Sequence, residues 1–198
     1  RPDARQSGAR ALANAALGII TRLDGGVIAQ TQFETAANMT QQLAAFGCLL
    51  QAGKGESAVT SFYRQWRHDR LVLDKWFMLQ IVRAKPENAA QITDDLTHHS
   101  DFSMNNPNRF RAVLGALAAN AAGFHHESGR GYEVLTDWLI RLDPVNPQTA
   151  ARMCTAFETW RRYDEARQAL ISAQLDRLLA RPGLSRDMAE MAGRIRSA

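Results

Sequence analysis

One stretch near the middle of the 198 residues combines residue types that could recognise a ligand: Asn106-Pro107-Asn108-Arg109. Asn106 is a good N-cap, offering a side-chain oxygen to the first free amides of a helix. Pro107 suits the first helical position, where its missing N–H costs nothing. The apolar residues Val113, Leu114 and Leu117 carry the helix on. Arg109 is then a cation in a first turn, where the helix dipole prefers an anion, a mismatch of about 0.3–1 kcal/mol. Either an anion fills the site, and free amides with a guanidinium fork would suit a carboxylate, or Arg109 points into water or pairs with a nearby acid such as Asp101.

Other chemistry starts and does not complete. His126-Glu127 opens like the zinc motif H-E-x-x-H, but Arg130 stands where the second histidine should be. His98-His99 and His125-His126 are adjacent pairs. Neighbours on a helix point about 100° apart, so neither pair chelates one ion easily, and each is expected to close a helix end, where a partly charged imidazole is welcome. Gly47 to Gly55 resembles a phosphate loop, yet the glycine spacing is one residue too long and Gly55 takes the place of the magnesium-binding Ser or Thr. There is no Gly-x-Ser-x-Gly elbow, and Asp94-Asp95 reads as a solvated face. The sequence predicts no catalytic residue and no metal site of its own.

The elements that must position the Asn106–Arg109 stretch are helical. Periodicity predicts helices over roughly 4–23, with Leu12, Ala16, Ile19, Ile20 and Leu23 on one side, then over 27–38, over a third span capped by Thr40, and over 56–69 and 71–84. The helix at 71–84 carries Leu71, Leu73, Trp76, Phe77, Leu79, Ile81 and Val82, and apolar residues on most sides imply a covered position. Further helices are predicted over 87–98, from Pro107 to about Asn120, over 129–142, from Asn146-Pro147 to about Arg162, from Asp164 to Arg181 and from Ser185 to Arg196. No stretch alternates like a strand. The expected class is all-α: stacked antiparallel helix pairs forming an armadillo/HEAT-like α-solenoid of about ten helices, or a compact irregular bundle. Residues 1–198 are expected to form a single all-helical domain.

Composition agrees with a packed domain: 45% of residues are hydrophobic. The net charge of +4 comes from 24 basic and 20 acidic residues spread along the chain, which argues against nucleic acid as a partner. Cys48 and Cys154 lie in apolar helical contexts and read as small buried hydrophobes. Two thiols make no disulfide framework, so a reducing, cytoplasmic setting is expected. No apolar run reaches the roughly 18 residues of a membrane span. The sequence begins at Arg1 without a signal-like segment and reads as a piece of a longer polypeptide.

Two motifs at a specific separation carry a resemblance. Leu73-Asp74-Lys75-Trp76-Phe77, followed by Phe102-Ser103-Met104-Asn105-Asn106-Pro107-Asn108-Arg109-Phe110-Arg111, resembles the C-terminal helical domain of bacterial aminopeptidase N, a family of gluzincin zinc metallopeptidases. Arg10-Ala11-Leu12-Ala13-Asn14, Asn38-Met39-Thr40, Asn146-Pro147-Gln148 and Arg162-Tyr163-Asp164 follow in the same order. The resemblance implies a non-catalytic domain whose parent holds zinc in a separate catalytic domain of the same polypeptide. It implies a lid over the active-site cavity that admits short peptides, with Asn106, Asn108 and Arg109 facing the cavity as substrate-binding residues. The peptide's C-terminal carboxylate would be the anion for Arg109. Arg111, about 200° further round the helix, is assigned to structure with Asp74, Lys75, Trp76 and Pro107. The competing reading is a stand-alone α-solenoid scaffold for protein partners. That reading needs exposed aromatic anchors, whereas Trp66, Trp76, Trp138 and Trp160 fall on apolar faces.

Overall fold

The computed structural model describes residues 3–198. Among them every regular element is helical. The chain divides into two compact units, one ending at Arg83 and one running from Ala84 to Ala198.

The first unit holds α1 (Ala4–Asp24), α2 (Val27–Thr35), α3 (Met39–Gln51), α4 (Glu56–Trp66) and α5 (Arg70–Val82). Asp24 turns the chain from α1 to α2. Its carboxylate accepts from Gly26 N at 2.8 Å and Ile28 N at 2.9 Å, and Gly25 and Gly26 take the positive φ that the reversal requires. The start of α3 is capped by Asn38, which accepts from Gln41 N at 3.0 Å, and not by the expected Thr40. Asn38 holds the extended backbone of a cap, so helical geometry begins one residue ahead of Thr40.

The core of this unit is aromatic. Phe46 stacks on Phe62 at 5.1 Å, with Phe33 within 6.5 Å of both. Trp76 is buried, and its indole N–H donates to the Val59 carbonyl at 2.9 Å, tying α5 to α4. Asp74 and Lys75 are half-buried beside it. One expectation about burial is corrected. Leu71 is 71% exposed, because α5 covers itself through Val72, Leu73, Trp76, Phe77 and Ile81 instead. In α1 the buried residues are Leu17 and Thr21, and the stripe of Leu12, Ile19 and Leu23 faces outward.

The second unit begins with a short 3₁₀ turn, Pro86–Asn88, and α6 (Ala89–Thr97). One rod then spans 107–119: α7 (Pro107–Phe110), a π-helical segment (Arg111–Gly115) and α8 (Ala116–Ala119). It puts Phe110, Val113, Leu114 and Leu117 on the covered side. After α9 (Ala121–Phe124) come α10 (Arg130–Leu142), α11 (Pro147–Cys154), α12 (Glu165–Leu179) and α13 (Arg186–Ser197). The helix expected to run from Pro147 to Arg162 ends at Cys154 and continues as two 3₁₀ turns, Thr155–Phe157 and Trp160–Arg162. The break lets the Trp160 indole reach the Ile195 carbonyl at 2.8 Å.

Packing at the α9–α10 turn needs two glycines. A Cβ at Gly131 would lie 2.6 Å from the Phe124 carbonyl oxygen, and one at Gly123 would lie 2.4 Å from the Ala89 Cβ. Phe124, Tyr132 and Phe157 close the core there. The buried Asp143 accepts from Ser185 N at 2.8 Å and from Ser185 Oγ at 2.5 Å. Ser185 Oγ in turn accepts from Met188 N at 3.2 Å, so the carboxylate at the end of α10 orients the cap of α13.

Candidate functional site

The site lies wholly within the second unit, where the segment after α6 meets the rod at 107. Asn106 caps as expected: its side-chain oxygen accepts from Asn108 N at 3.1 Å and Arg109 N at 3.3 Å. Pro107 occupies the first helical position. Phe110 is fully buried and meets Trp138 of α10 edge to face at 6.4 Å. Phe102 meets the same indole at 5.1 Å. These contacts fix where the helix begins and how it is rotated.

That rotation sends Arg109 inward. It is only 4% exposed, and its Nη1 donates to the backbone carbonyl of Asp101. The alternative in which Arg109 points into water is therefore corrected, because Phe110 and Arg109 share the covered start of the rod. Arg109 bridges the helix to the preceding loop, which is further shaped by Asp101 N donating to His99 Nδ1 at 3.1 Å and Phe102 N donating to the His99 carbonyl at 2.8 Å.

Asn108 and Arg111 stand on the exposed side. Arg111 Nη2 donates to Asn108 Oδ1 at 2.7 Å. The carboxamide oxygen is thus used internally, and this exposed pair of side chains carries further N–H donors and a positive charge. Such a corner is built from donors and suits an acceptor-rich or anionic group. Residue spacing alone separated Arg111 from Arg109 around the helix. It did not signal that Arg111 would brace Asn108, since that contact depends on which of the two arginines is drawn under the loop.

Several histidine Nδ1 atoms have local partners. His98 caps α6 with Nδ1 2.8 Å from the Asp94 carbonyl, and His126 Nδ1 lies 3.0 Å from Ser128 Oγ. His125 ends α9, stacks on Tyr163 at 4.0 Å and holds Nδ1 3.0 Å from the Tyr132 hydroxyl. Burial, and then the charge of Arg167, keep this imidazole below the usual histidine range. The expectation of a welcome partial charge at this helix end is corrected for His125: Arg167 Nε already donates to its carbonyl at 2.6 Å and supplies the cation. Tyr132 is pushed up to about 12, chiefly by burial. Cys154 is buried and its thiol is also pushed up to about 12 by burial, so it behaves as a small hydrophobe. Cys48 is only half-buried. Gly47 sits inside α3, so the stretch that resembled a phosphate loop is the end of a helix. Among the described residues, no group of three or more His, Cys, Asp or Glu side chains is placed to hold a metal ion.

Among the described residues, no helix is long and apolar enough to cross a membrane.

A family model described as "Domain of unknown function (DUF3458_C) ARM repeats" matches residues 1–197. The chain is 40% identical over 169 residues to aminopeptidase N of Haemophilus influenzae, covering 84% of this chain and 19% of that protein. It is 38% identical over 198 residues to aminopeptidase N of Caulobacter vibrioides, covering 97% of this chain and 23% of that protein. The crystal structure of Legionella pneumophila aminopeptidase A in complex with aspartic acid is similar with a TM-score of 0.91 and 30% identity, covering 98% of this chain and 23% of that one. The chain spans about a fifth of the length of the relatives it matches. It is all-α, as the residue pattern predicted, and it belongs to the DUF3458_C ARM-repeat family, resembling a segment of bacterial aminopeptidase N.

Proposed function

We propose that residues 1–198 form a single non-catalytic C-terminal domain of a zinc-dependent, cytoplasmic aminopeptidase N that removes N-terminal residues from short peptides. The observation that carries this reading is the 38% identity to an aminopeptidase N over 97% of this chain and only 23% of the relative. The zinc, its ligands and the general base belong to the catalytic domain of the same polypeptide, which is this domain's main partner. The role assigned here is to cap the active-site cavity and to limit and orient the peptide.

Within that role, the start of the rod at 107 faces the distal end of the peptide. Asn108 meets the substrate, and Arg111, which its spacing assigned to structure, is here given the charge for a C-terminal carboxylate because it is the exposed guanidinium beside Asn108. Asn106 and Arg109 serve the same binding function from behind: one fixes the helix start through its cap, the other clamps it to Asp101. A peptide carboxylate bound by an exposed guanidinium and an amide contributes modestly, about 0.5–2 kcal/mol.

In the longer polypeptide, Asn108→Ala and Arg111→Ala should raise KM for a tripeptide by about 3–30-fold. They should leave an aminoacyl-anilide, which has no carboxylate, unchanged. Equal effects on both substrates would refute the carboxylate role.

A further inference from the structure

α1 has two apolar sides, and only one is used. Leu17 and Thr21 are buried where α1 packs on α2 and α3. Leu12, Ala16, Ile19 and Leu23 recur at intervals of four, three and four residues, which stacks them on one face of the helix. Of these, Leu12 is 74%, Ile19 66% and Leu23 85% exposed. Val27 and Ile28, at the start of α2, are exposed as well. Among the described residues, ten large hydrophobic side chains are exposed, and six of them fall between Leu12 and Ile28. Scattered exposed leucines need no explanation, but a contiguous stripe on one helix face does.

The last helices show what a finished outer surface looks like. Arg196 pairs with Asp176 at 2.7 Å and Arg177 with Asp137 at 2.6 Å. The exposed residues of α13 include Arg186, Asp187, Glu190 and Arg194. Helical-repeat proteins require a polar outer face on the terminal repeat, whereas an interior repeat stays apolar on both sides. By that criterion the outward face of α13 is polar, whereas that of α1 has the apolar character of an interior element.

We infer that the outward stripe Leu12–Ile19–Leu23, with Val27 and Ile28, is the docking face for a helix of the same longer polypeptide that immediately precedes residue 1. Three observations favour this occupant over a second copy of the chain. About four-fifths of the relatives' length lies outside this chain. The matching family is a repeat family, in which consecutive elements stack on one another. The stripe lies on the first helix, and elements adjacent in sequence are usually adjacent in space. The stripe therefore fixes how α1 is held in the parent, independently of the Asn106–Arg111 corner.

The inference rests on the proposed membership of a longer polypeptide, and its test separates the two. In that polypeptide, Leu12→Cys and Leu23→Cys are introduced singly, and maleimide labelling is compared under native conditions and in denaturant. The expected result is native labelling about a hundredfold slower than the unfolded rate at both positions, unchanged on dilution. Native labelling within a few-fold of the unfolded rate would overturn the inference, and so would protection that disappears on dilution, which would assign the face to a second copy. Leu12→Glu with Leu23→Glu should also lower the unfolding temperature of the longer polypeptide by several degrees; an unchanged midpoint would count against it. Aminopeptidase activity is read on the same preparations. Activity with fast labelling removes only the docking face, and protection without activity removes only the functional reading.

Discussion

Arg111 donates to the Asn108 carboxamide at 2.7 Å, while Arg109, two residues earlier, is drawn beneath the preceding loop onto the Asp101 carbonyl. One short motif thus contains an outward pair and an inward clamp. Because the outward pair acts as a unit, its members should be coupled. In the longer polypeptide the double substitution Asn108→Ala, Arg111→Ala should raise the tripeptide KM little more than either single change, leaving an interaction energy of about 0.5–1 kcal/mol. A double-mutant cycle on KM checks this, and strictly additive effects would show that the two side chains act separately.

The inward clamp predicts a stability effect. Arg109→Ala removes the donor to a carbonyl and leaves space under the loop, so it should destabilise the chain by about 1–3 kcal/mol. Asn108→Ala, on an exposed side chain, should stay within about 0.5 kcal/mol of the parent. Urea unfolding of the two variants discriminates them. A neutral Arg109→Ala would mean that the guanidinium contributes nothing to holding the loop.

The cap of α13 offers a second stability test. Asp143→Ala strips Ser185 N and Ser185 Oγ of their acceptor in a buried setting and should cost about 1–3 kcal/mol. Amide exchange in Arg186–Ser197 should rise first, since that helix starts at the cap. Uniform loss of protection along the chain would contradict a local role.

His125 and Tyr132 give opposite pH dependences. The imidazole is held below its usual value of 6.5, so the folded state binds fewer protons than the unfolded one as pH falls through that value, and stability drops on acidification. The Tyr132 phenol is raised from 10.0 to about 12, so stability is lost as pH rises across that interval. Unfolding midpoints measured across the acid range should fall less steeply for His125→Phe. A steeper fall in that variant would reverse the assigned sign.

Several helix starts were legible in the residues because capping is local, although Asn38 and not Thr40 caps α3. Asn106-Pro107, Asn146-Pro147, Asp164 and Ser185 all cap where the sequence placed them. What depends on neighbours was not. The break after Cys154 follows from Trp160 reaching Ile195, thirty-five residues away. The four-residue α9 relies on Gly123 and Gly131 permitting close approach to Ala89 and the Phe124 backbone. Periodicity correctly grouped Leu12, Ile19 and Leu23 on one face of α1 but carries no information about what covers that face. The site was half legible for the same reason. Asn106 and Pro107 announce the helix start, whereas an arginine buried against a backbone carbonyl has no signature in the residues that surround it in sequence.

The central claim, that this chain supplies a non-catalytic domain to a zinc aminopeptidase, is tested most directly by measuring zinc content and aminoacyl-anilide hydrolysis for residues 1–198 and for the longer polypeptide side by side. The account predicts about one zinc per chain and hydrolysis in the longer polypeptide, and neither in residues 1–198 even with added zinc. Zinc-dependent hydrolysis by residues 1–198 alone, or a longer polypeptide that binds no zinc and cleaves nothing, would contradict it.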